Sequence, residues 1–256
     1  MSARIDRRTI VGALGGAGTA ALSGCDRLNN SPHVMSVVDS AEGLTRTIQR
    51  LLLTPGQLAP EYRPSDISAA FRANGSTQVA DPAYQAELAG GFGTWKLEVG
   101  GLVNTPLSLS LNDLRARPAR TQITRHDCVE GWSCIGQWTG APLGPILLQA
   151  GLKPAAKFVV FYCADLIDPF AGAYYYESIG LADAFHPQTI LAYDMNGQPL
   201  TQPHGAPIRL RVERQLGYKQ AKYVMRIAAV DSLKSINGGK GGYWEDSTNY
   251  EWYAGI

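Results

Sequence analysis

The chain has 256 residues, 45% of them hydrophobic and 18% charged, with a formal net charge of +1. That length supplies a core for one large domain or two small ones. The even charge balance leaves no electrostatic footprint for nucleic acid, and no window of about 20 apolar residues is present to span a bilayer. The 28 glycines and 15 prolines suit a loop-rich α+β protein, mostly strands with short helices, better than a helical bundle.

The first element is an address. Arg7-Arg8 precede a short apolar run rich in glycine and alanine. The run is too short and too soft for a membrane span and fits an export signal of the twin-arginine type over residues 1–24. "LSGC" then resembles a bacterial lipobox, in which Cys25 would be acylated after cleavage. The expected destination is the periplasm, with the protein lipid-anchored. Residues 25–65 read as a tether and an N-terminal helix. Apolar positions at helical spacing over 36–53 stop at Pro55.

Residues 55–93 are rich in Pro, Gly, Asn and Ser and read as one long irregular loop, which in a compact domain is usually functional. "TWKLEVGGLV" alternates and predicts a strand. "SLNDLRAR" carries Ser110 as a helix cap with Asp113 three residues on. "TQIT" leads as a strand into "RHDCVEGWSC". "APLGPILLQAGL" predicts a short helix stopped by Gly151. "KFVVFYC" and "AYYYESI" are strands, "LADAF" a helical turn. "TILAYDMNGQPL" runs a strand into the tight turn Asn196-Gly197. "APIRLRV" and "YVMRIAAV" are two further strands, followed by a glycine-rich, aromatic tail.

Export reframes the four cysteines. With Cys25 as an anchor, three remain. One pair with a free thiol, or one metal ligand with two buried residues, are equally compatible. There is no C-x-x-C for a zinc ribbon, no haem attachment site, no dinucleotide fingerprint and no phosphate loop. His126, Asp127 and Cys128 are contiguous on a strand, so they alternate between faces and cannot form a relay among themselves. A second cluster, "PHGAPIRLRVERQLGYKQAKYV", sets His204, Arg209, Lys219 and Lys222 near strand ends beside turn glycines. That is either a socket for a phosphate-like anion or a solvated basic edge.

Three segments, "CVEGWSCIGQWTGAPLGPILLQAGL", "YYESIGLADAFHPQTILAYDMNGQPL" and "HGAPIRLRVERQLGYKQAKYV", together resemble the sulfite-oxidase superfamily of molybdopterin enzymes. The nearest likeness is to the bacterial branch that holds the periplasmic protein-methionine-sulfoxide reductase catalytic subunit. The resemblance covers about residues 66–230 and makes residues 66–256 the cofactor domain. It implies a Mo-molybdopterin cofactor with Cys128 as the thiolate on molybdenum, a soft ligand suited to that metal. It places His204 and Arg209 on the pterin and its phosphate, with Gln220, Ala221 and Lys222 in a turn closing over the same phosphate. Arg72 and Ala73, in "FRANG", match a covering loop, and Cys163 a strand end that contacts the cofactor. Tyr175 matches a tyrosine near the metal, and His126 is a candidate proton donor there.

Two departures shape the expectation. Sulfite oxidases follow the cysteine with an Asn-Arg-Arg run. Here Glu130 and Ser133 stand in that region, which disfavours a small anionic substrate and points to a sulfoxide-type one. The dimerisation β-sandwich that follows the core in sulfite oxidases has no counterpart in this sequence, so a monomer is expected. Without haem or iron–sulfur motifs, electrons would pass to a separate membrane haem protein or cytochrome c. Two other readings compete: a non-catalytic lipoprotein that retains the fold as a binding module, and a cysteine hydrolase using Cys128 with His186 or His204. Trp132 and Trp138 read as packing residues, Cys134 as a small buried hydrophobe and His186 as a turn residue.

Overall fold

The structure is a computed structural model that describes residues 57–256. The arginine pair, Cys25 and the expected helix over 36–53 lie outside the described residues. Two sheets carry the architecture. The first has the order β2-β1-β10-β5-β6, built from β1 (Lys96–Gly101), β2 (Leu107–Ser110), β5 (Phe158–Asp168), β6 (Ala173–Gly180) and β10 (Val224–Val230). β1 alternates as expected, with Leu97 and Val99 inward and Lys96 and Glu98 outward. β5 is flanked by β10 and β6, and its Val159, Val160 and Phe161 are all fully buried, which is why it reads as a continuous apolar run rather than an alternating one.

The second sheet runs β3 (Arg120–Cys128), β4 (Trp132–Pro142), β7 (Ile190–Met195) and β8 (Gln198–Pro199), and β9 (Arg209–Arg211) pairs with β7. The β3–β4 register pairs Cys128 with Trp132. The three residues between them close a hairpin in which Gly131 takes φ +84°, and its N–H donates to the Cys128 carbonyl at 3.0 Å. Cys128 therefore sits at the mouth of a rigid hairpin. Asn196 and Gly197, at φ +50° and +76°, form the predicted turn between β7 and β8.

Among the described residues, five helices decorate the sheets: α1 (Pro82–Ala89), α2 (Leu111–Arg115), α3 (Leu143–Ala150), α4 (Leu181–Ala184) and α5 (Tyr243–Thr248). Among the described residues, no helix is long and apolar enough to cross a membrane. The Ser110–Asp113 cap of α2 and the Gly151 stop of α3, at φ +69°, form as expected. Four elements differ from the sequence reading, and β2 is one that it did not contain. α1 interrupts the expected 55–93 loop, with Asp81 capping the Tyr84 N–H at 2.8 Å and Pro82 at the first helical position. β4 was not expected as a strand because its glycines break the apolar alternation. α5 lies in a tail that reads as irregular. Cys134 is partly exposed rather than buried, its Sγ 3.8 Å from the Ala70 carbonyl, because only the loop before α1 covers that part of β4.

Gly140 of β4 marks a close approach. A Cβ there would lie 2.2 Å from the Leu191 carbonyl oxygen and 2.6 Å from Ala192 Cα, at the register shift between β4 and β7. Backbone cannot yield as a side-chain tip can. Gly140→Ala is expected to cost roughly 1–3 kcal/mol, read as a lowered urea midpoint. Gly100→Ala, which meets nothing within 4 Å, is the control expected to stay within about 0.5 kcal/mol of the parent.

Candidate active site

The β3–β4 hairpin, the ends of β5 and β6, the 74–76 loop and the turn before β10 enclose a cavity of about 200 Å³. Cys128, Tyr175, Gln220 and Lys222 line it, brought together from three separate segments of the chain. Burial raises the Cys128 thiol above its ordinary range, the Glu130 carboxylate adds to this, and Arg72 and the Glu130 main-chain N–H act against it. Cys128 is thus a thiol awaiting a strong Lewis acid, since metal coordination removes the proton outright. No histidine lines the cavity, so a Cys–His nucleophile has no base at hand. Among the described residues, no group of three or more His, Cys, Asp or Glu could hold a metal by itself. A metal at Cys128 would need ligands that arrive with a cofactor.

The cationic socket sits beside the thiol. Arg209 is 1% exposed and stacks over Trp138, its guanidinium carbon 5.0 Å from the ring centroid. It donates only to the main-chain carbonyls of His204 and Gln220, at 3.2 and 3.4 Å, and its Nε has no partner. Lys222 donates to three main-chain carbonyls, of Asn74 at 2.6 Å, Pro203 at 2.9 Å, and Ser76. Among the described residues, neither cation has a carboxylate within ion-pair distance. Buried cations without counter-ions are costly, and the costs are visible. Burial, then the Arg211 guanidinium, depresses Arg209 to about 9; burial, then Arg209, depresses Lys222 to about 7, with Asp165 acting against it. Burial, then Arg209 and Lys222, hold His204 at about 4, with its Nδ1 unpartnered. Such a cluster is complete only with a multivalent anion, which the phosphate of a pterin cofactor supplies. The residues fit the group.

The remaining predicted positions are placed as follows. The register Val224↔Cys163 lays Cys163 at the strand end beside the socket, fully buried, and burial raises its thiol well above the ordinary range. Ala221 is buried, and its carbonyl accepts from the Leu210 N–H at 2.8 Å, which pins the turn to β9. Arg72 is exposed and stacks over Trp132 at 5.4 Å, and Ala73 leads into the loop whose carbonyls hold Lys222. His126 shares a strand face with Cys128 but does not line the cavity. The Arg211 guanidinium lies 3.0 Å from its Nδ1, and Gly217 packs so closely on Nε2 that a Cβ would be 2.5 Å away. Burial and then Arg211 push its pKa well down. The ring is neutral, and Gln220 lies 3.2 Å from it.

Lys219 departs from the basic cluster the sequence suggests. It is fully buried between Glu245, at 2.6 Å, and Glu177, and so holds the fold rather than an anion. Asp165 is a cavity residue that sequence reasoning missed. It is 4% exposed, one carboxyl oxygen is unpartnered, and burial raises its pKa. Trp244, Tyr250 and Tyr218 also line the cavity. Trp138 is core, as expected, and His186 closes the turn after α4 with its Nε2 3.0 Å from the Gln57 carbonyl.

The depressed Lys222 gives a pH signature. Its folded-state pKa of about 7 lies below the ordinary 10.5, so above pH 7 the unfolded chain binds more protons than the folded one. Stability of the cofactor-free protein is therefore expected to rise from pH 7 to about 8.5. Above that the trend reverses, because thiols and phenols ionise first in the unfolded chain. Thermal midpoints of the cofactor-free and loaded proteins check this. The loaded protein should lack the rise, since a bound phosphate restores the Lys222 proton.

Comparison with known proteins agrees with this geometry. The sequence profile of the oxidoreductase molybdopterin binding domain matches residues 85–235. The chain is 37% identical, over 93% of its length and 83% of the relative's, to the protein-methionine-sulfoxide reductase subunit YedZ1 of Azospira oryzae. It is 32% identical, over 89% of its length and 71% of the relative's, to the protein-methionine-sulfoxide reductase catalytic subunit MsrP of Xanthomonas axonopodis. Among solved structures it is similar to the sulfane dehydrogenase SoxCD of Paracoccus pantotrophus, with a TM-score of 0.50 and 25% identity over 56% of this chain and 40% of that one. The mixed sheets with few short helices are those of the sulfite-oxidase-type molybdopterin-binding fold.

Proposed function

The chain belongs to the oxidoreductase molybdopterin-binding domain family, as a molybdenum-dependent enzyme with a Mo-molybdopterin cofactor, and we propose that it is the catalytic subunit of an exported sulfoxide reductase acting on protein-bound methionine sulfoxide. Cys128 holds the metal. Arg209, Lys222 and His204 hold the phosphate, and Cys163, Gln220, Ala221, Arg72 and Ala73 hold and cover the pterin. When bound, the group supplies a two-electron centre that exchanges an oxygen atom with substrate.

The protein's own part is positioning and proton supply. Sulfoxide reduction consumes two electrons and two protons and releases a thioether and water. Burial keeps the Tyr175 phenol protonated, and its hydroxyl donates to the Tyr218 carbonyl. Asp165, raised by burial, takes up a proton more readily than an ordinary carboxylate. Both line the cavity and can pass protons to an oxygen there. Gln220, beside the neutral His126, adds a polar group to the same cavity.

The observation that carries the substrate reading is Glu130. It lines the cavity, fixed by the Trp132 indole N–H at 2.9 Å. A carboxylate there repels sulfite and tolerates a neutral sulfoxide. The two relatives' names, protein-methionine-sulfoxide reductase subunits, support the same class. Electrons come from a separate haem protein, and residues 1–24 direct export to the periplasm with Cys25 as anchor. The test is turnover by the loaded enzyme. With reduced viologen as donor it should consume oxidised, methionine-sulfoxide-rich protein, and with ferricyanide as acceptor it should leave sulfite untouched. Sulfite oxidation without sulfoxide reduction would overturn the proposal.

A further inference from the structure

We infer that Trp244 and Tyr250 form a substrate subsite, an aromatic clamp for the neutral methylsulfinyl end of the side chain being reduced. The inference rests on the sulfoxide reading and assigns its specificity to a segment beyond the family match, which ends at residue 235. That segment folds back so that both rings line the cavity with Cys128. They stack on each other at 6.0 Å and 28°. Tyr218 meets Tyr250 edge-on at 5.1 Å, and Tyr243 backs Trp244 at 5.1 Å. Both rings are half-buried, so each keeps surface to offer a ligand.

The clamp is fixed in place rather than draped. Glu245, one residue after Trp244, pairs with Lys219 at 2.6 Å, fully buried. The Tyr218 hydroxyl donates to the Glu251 carbonyl at 2.6 Å, and the Leu216 N–H to the Ala254 carbonyl at 2.9 Å. The Trp252 indole donates to Ser178 Oγ at 2.8 Å. The first three of these bonds tie the tail to residues 216–219, immediately before Gln220 and Lys222, and the last ties it to β6. The aromatic wall and the cofactor turn are therefore one rigid body, and a side chain held by the wall is held at a set place relative to Cys128.

The chemistry of the wall selects its ligand. An aromatic face is negative and its edge positive. A sulfinyl sulfur carries partial positive charge and polarises its methyl group, so both favour a ring face, as thioether sulfur does. Val129 and Ile167 extend the apolar wall, while Glu130 stands at the same cavity. An anion would meet a π face and a carboxylate together; a neutral methylsulfinyl group meets neither penalty.

The test uses the loaded enzyme with Trp244→Leu, Tyr250→Leu and Trp244→Phe. Molybdenum and pterin content should match the parent in all three. For methionine sulfoxide, KM should rise about tenfold in each Leu variant with kcat within about twofold, as expected from losing a sulfur–aromatic contact, and Trp244→Phe should restore most of the affinity. Unchanged KM, or loss of cofactor from the Leu variants, would overturn the clamp. Should the parent turn over no sulfoxide, the function fails separately, and calorimetric binding of dimethyl sulfoxide and dimethyl sulfide decides the subsite. Binding that the Leu variants lose supports it; no binding to the parent overturns it.

Discussion

Arg209→Met is expected to move two measurements in opposite directions. In the cofactor-free protein it removes a buried cation whose only acceptors are two long carbonyl contacts, leaving an apolar stem in the same slot against Trp138. The unfolding midpoint should rise, by the equivalent of at least about 1 kcal/mol, because a buried charged group without a counter-ion costs more than an ordinary unsatisfied one. In the loaded protein the same change strands a phosphate in a dry site. Truncating one partner of a buried charge pair costs about 2–5 kcal/mol, so cofactor affinity should fall roughly 30-fold to several thousandfold. Chemical denaturation of the cofactor-free chain and pterin retained after dialysis read the two sides. A variant less stable without cofactor would mean Arg209 is structural, and the socket reading of its buried charge would fail.

Cys128→Ser addresses the other end of the site. The hydroxyl is smaller, harder and far less acidic, so it cannot replace a soft thiolate on molybdenum. Turnover should fall by three orders of magnitude or more, on the order of what removal of an essential catalytic group does elsewhere. The pterin should stay, since its phosphate socket is built from β9 and the turn before β10 and not from the hairpin. X-ray absorption at the molybdenum edge should show one sulfur fewer. Loss of pterin together with the metal would show that Cys128, and not the socket, anchors the cofactor.

The two ends of this site differed in how far the sequence revealed them. Cys128 stands out because it precedes a glycine turn with no metal-spaced companion, and a ligand set completed by a cofactor explains that isolation. Arg209 and Lys222 stand out by charge, yet charge alone could not separate them from Lys219. All three are buried cations, and only the fold reveals that Lys219 pairs with two carboxylates brought from β6 and α5, while among the described residues the other two have no carboxylate within ion-pair distance. Asp165 was invisible because the sequence reading ends that strand at Cys163, whereas β5 continues to Asp168 through a register irregularity against β6 after Tyr162. β4 was obscured by Gly136 and Gly140, which its neighbours require for close approach. Trp244 and Tyr250 lie in a tail with no period of 2 or 3.6 to read, so their place at the cavity comes from contacts across the chain, such as that from Glu245 to Lys219. α1 was legible in principle: Asp81-Pro82 is a helix start by its own chemistry.

The central claim is that unpaired buried cations and a lone thiol are two ends of one molybdopterin site. Its most direct test is the metal and pterin content of the natively expressed protein, with phosphorus measured on the released pterin. The account predicts close to one molybdenum and one phosphorylated pterin for each chain. Well-folded protein that carries neither, although produced where both are available, would contradict it.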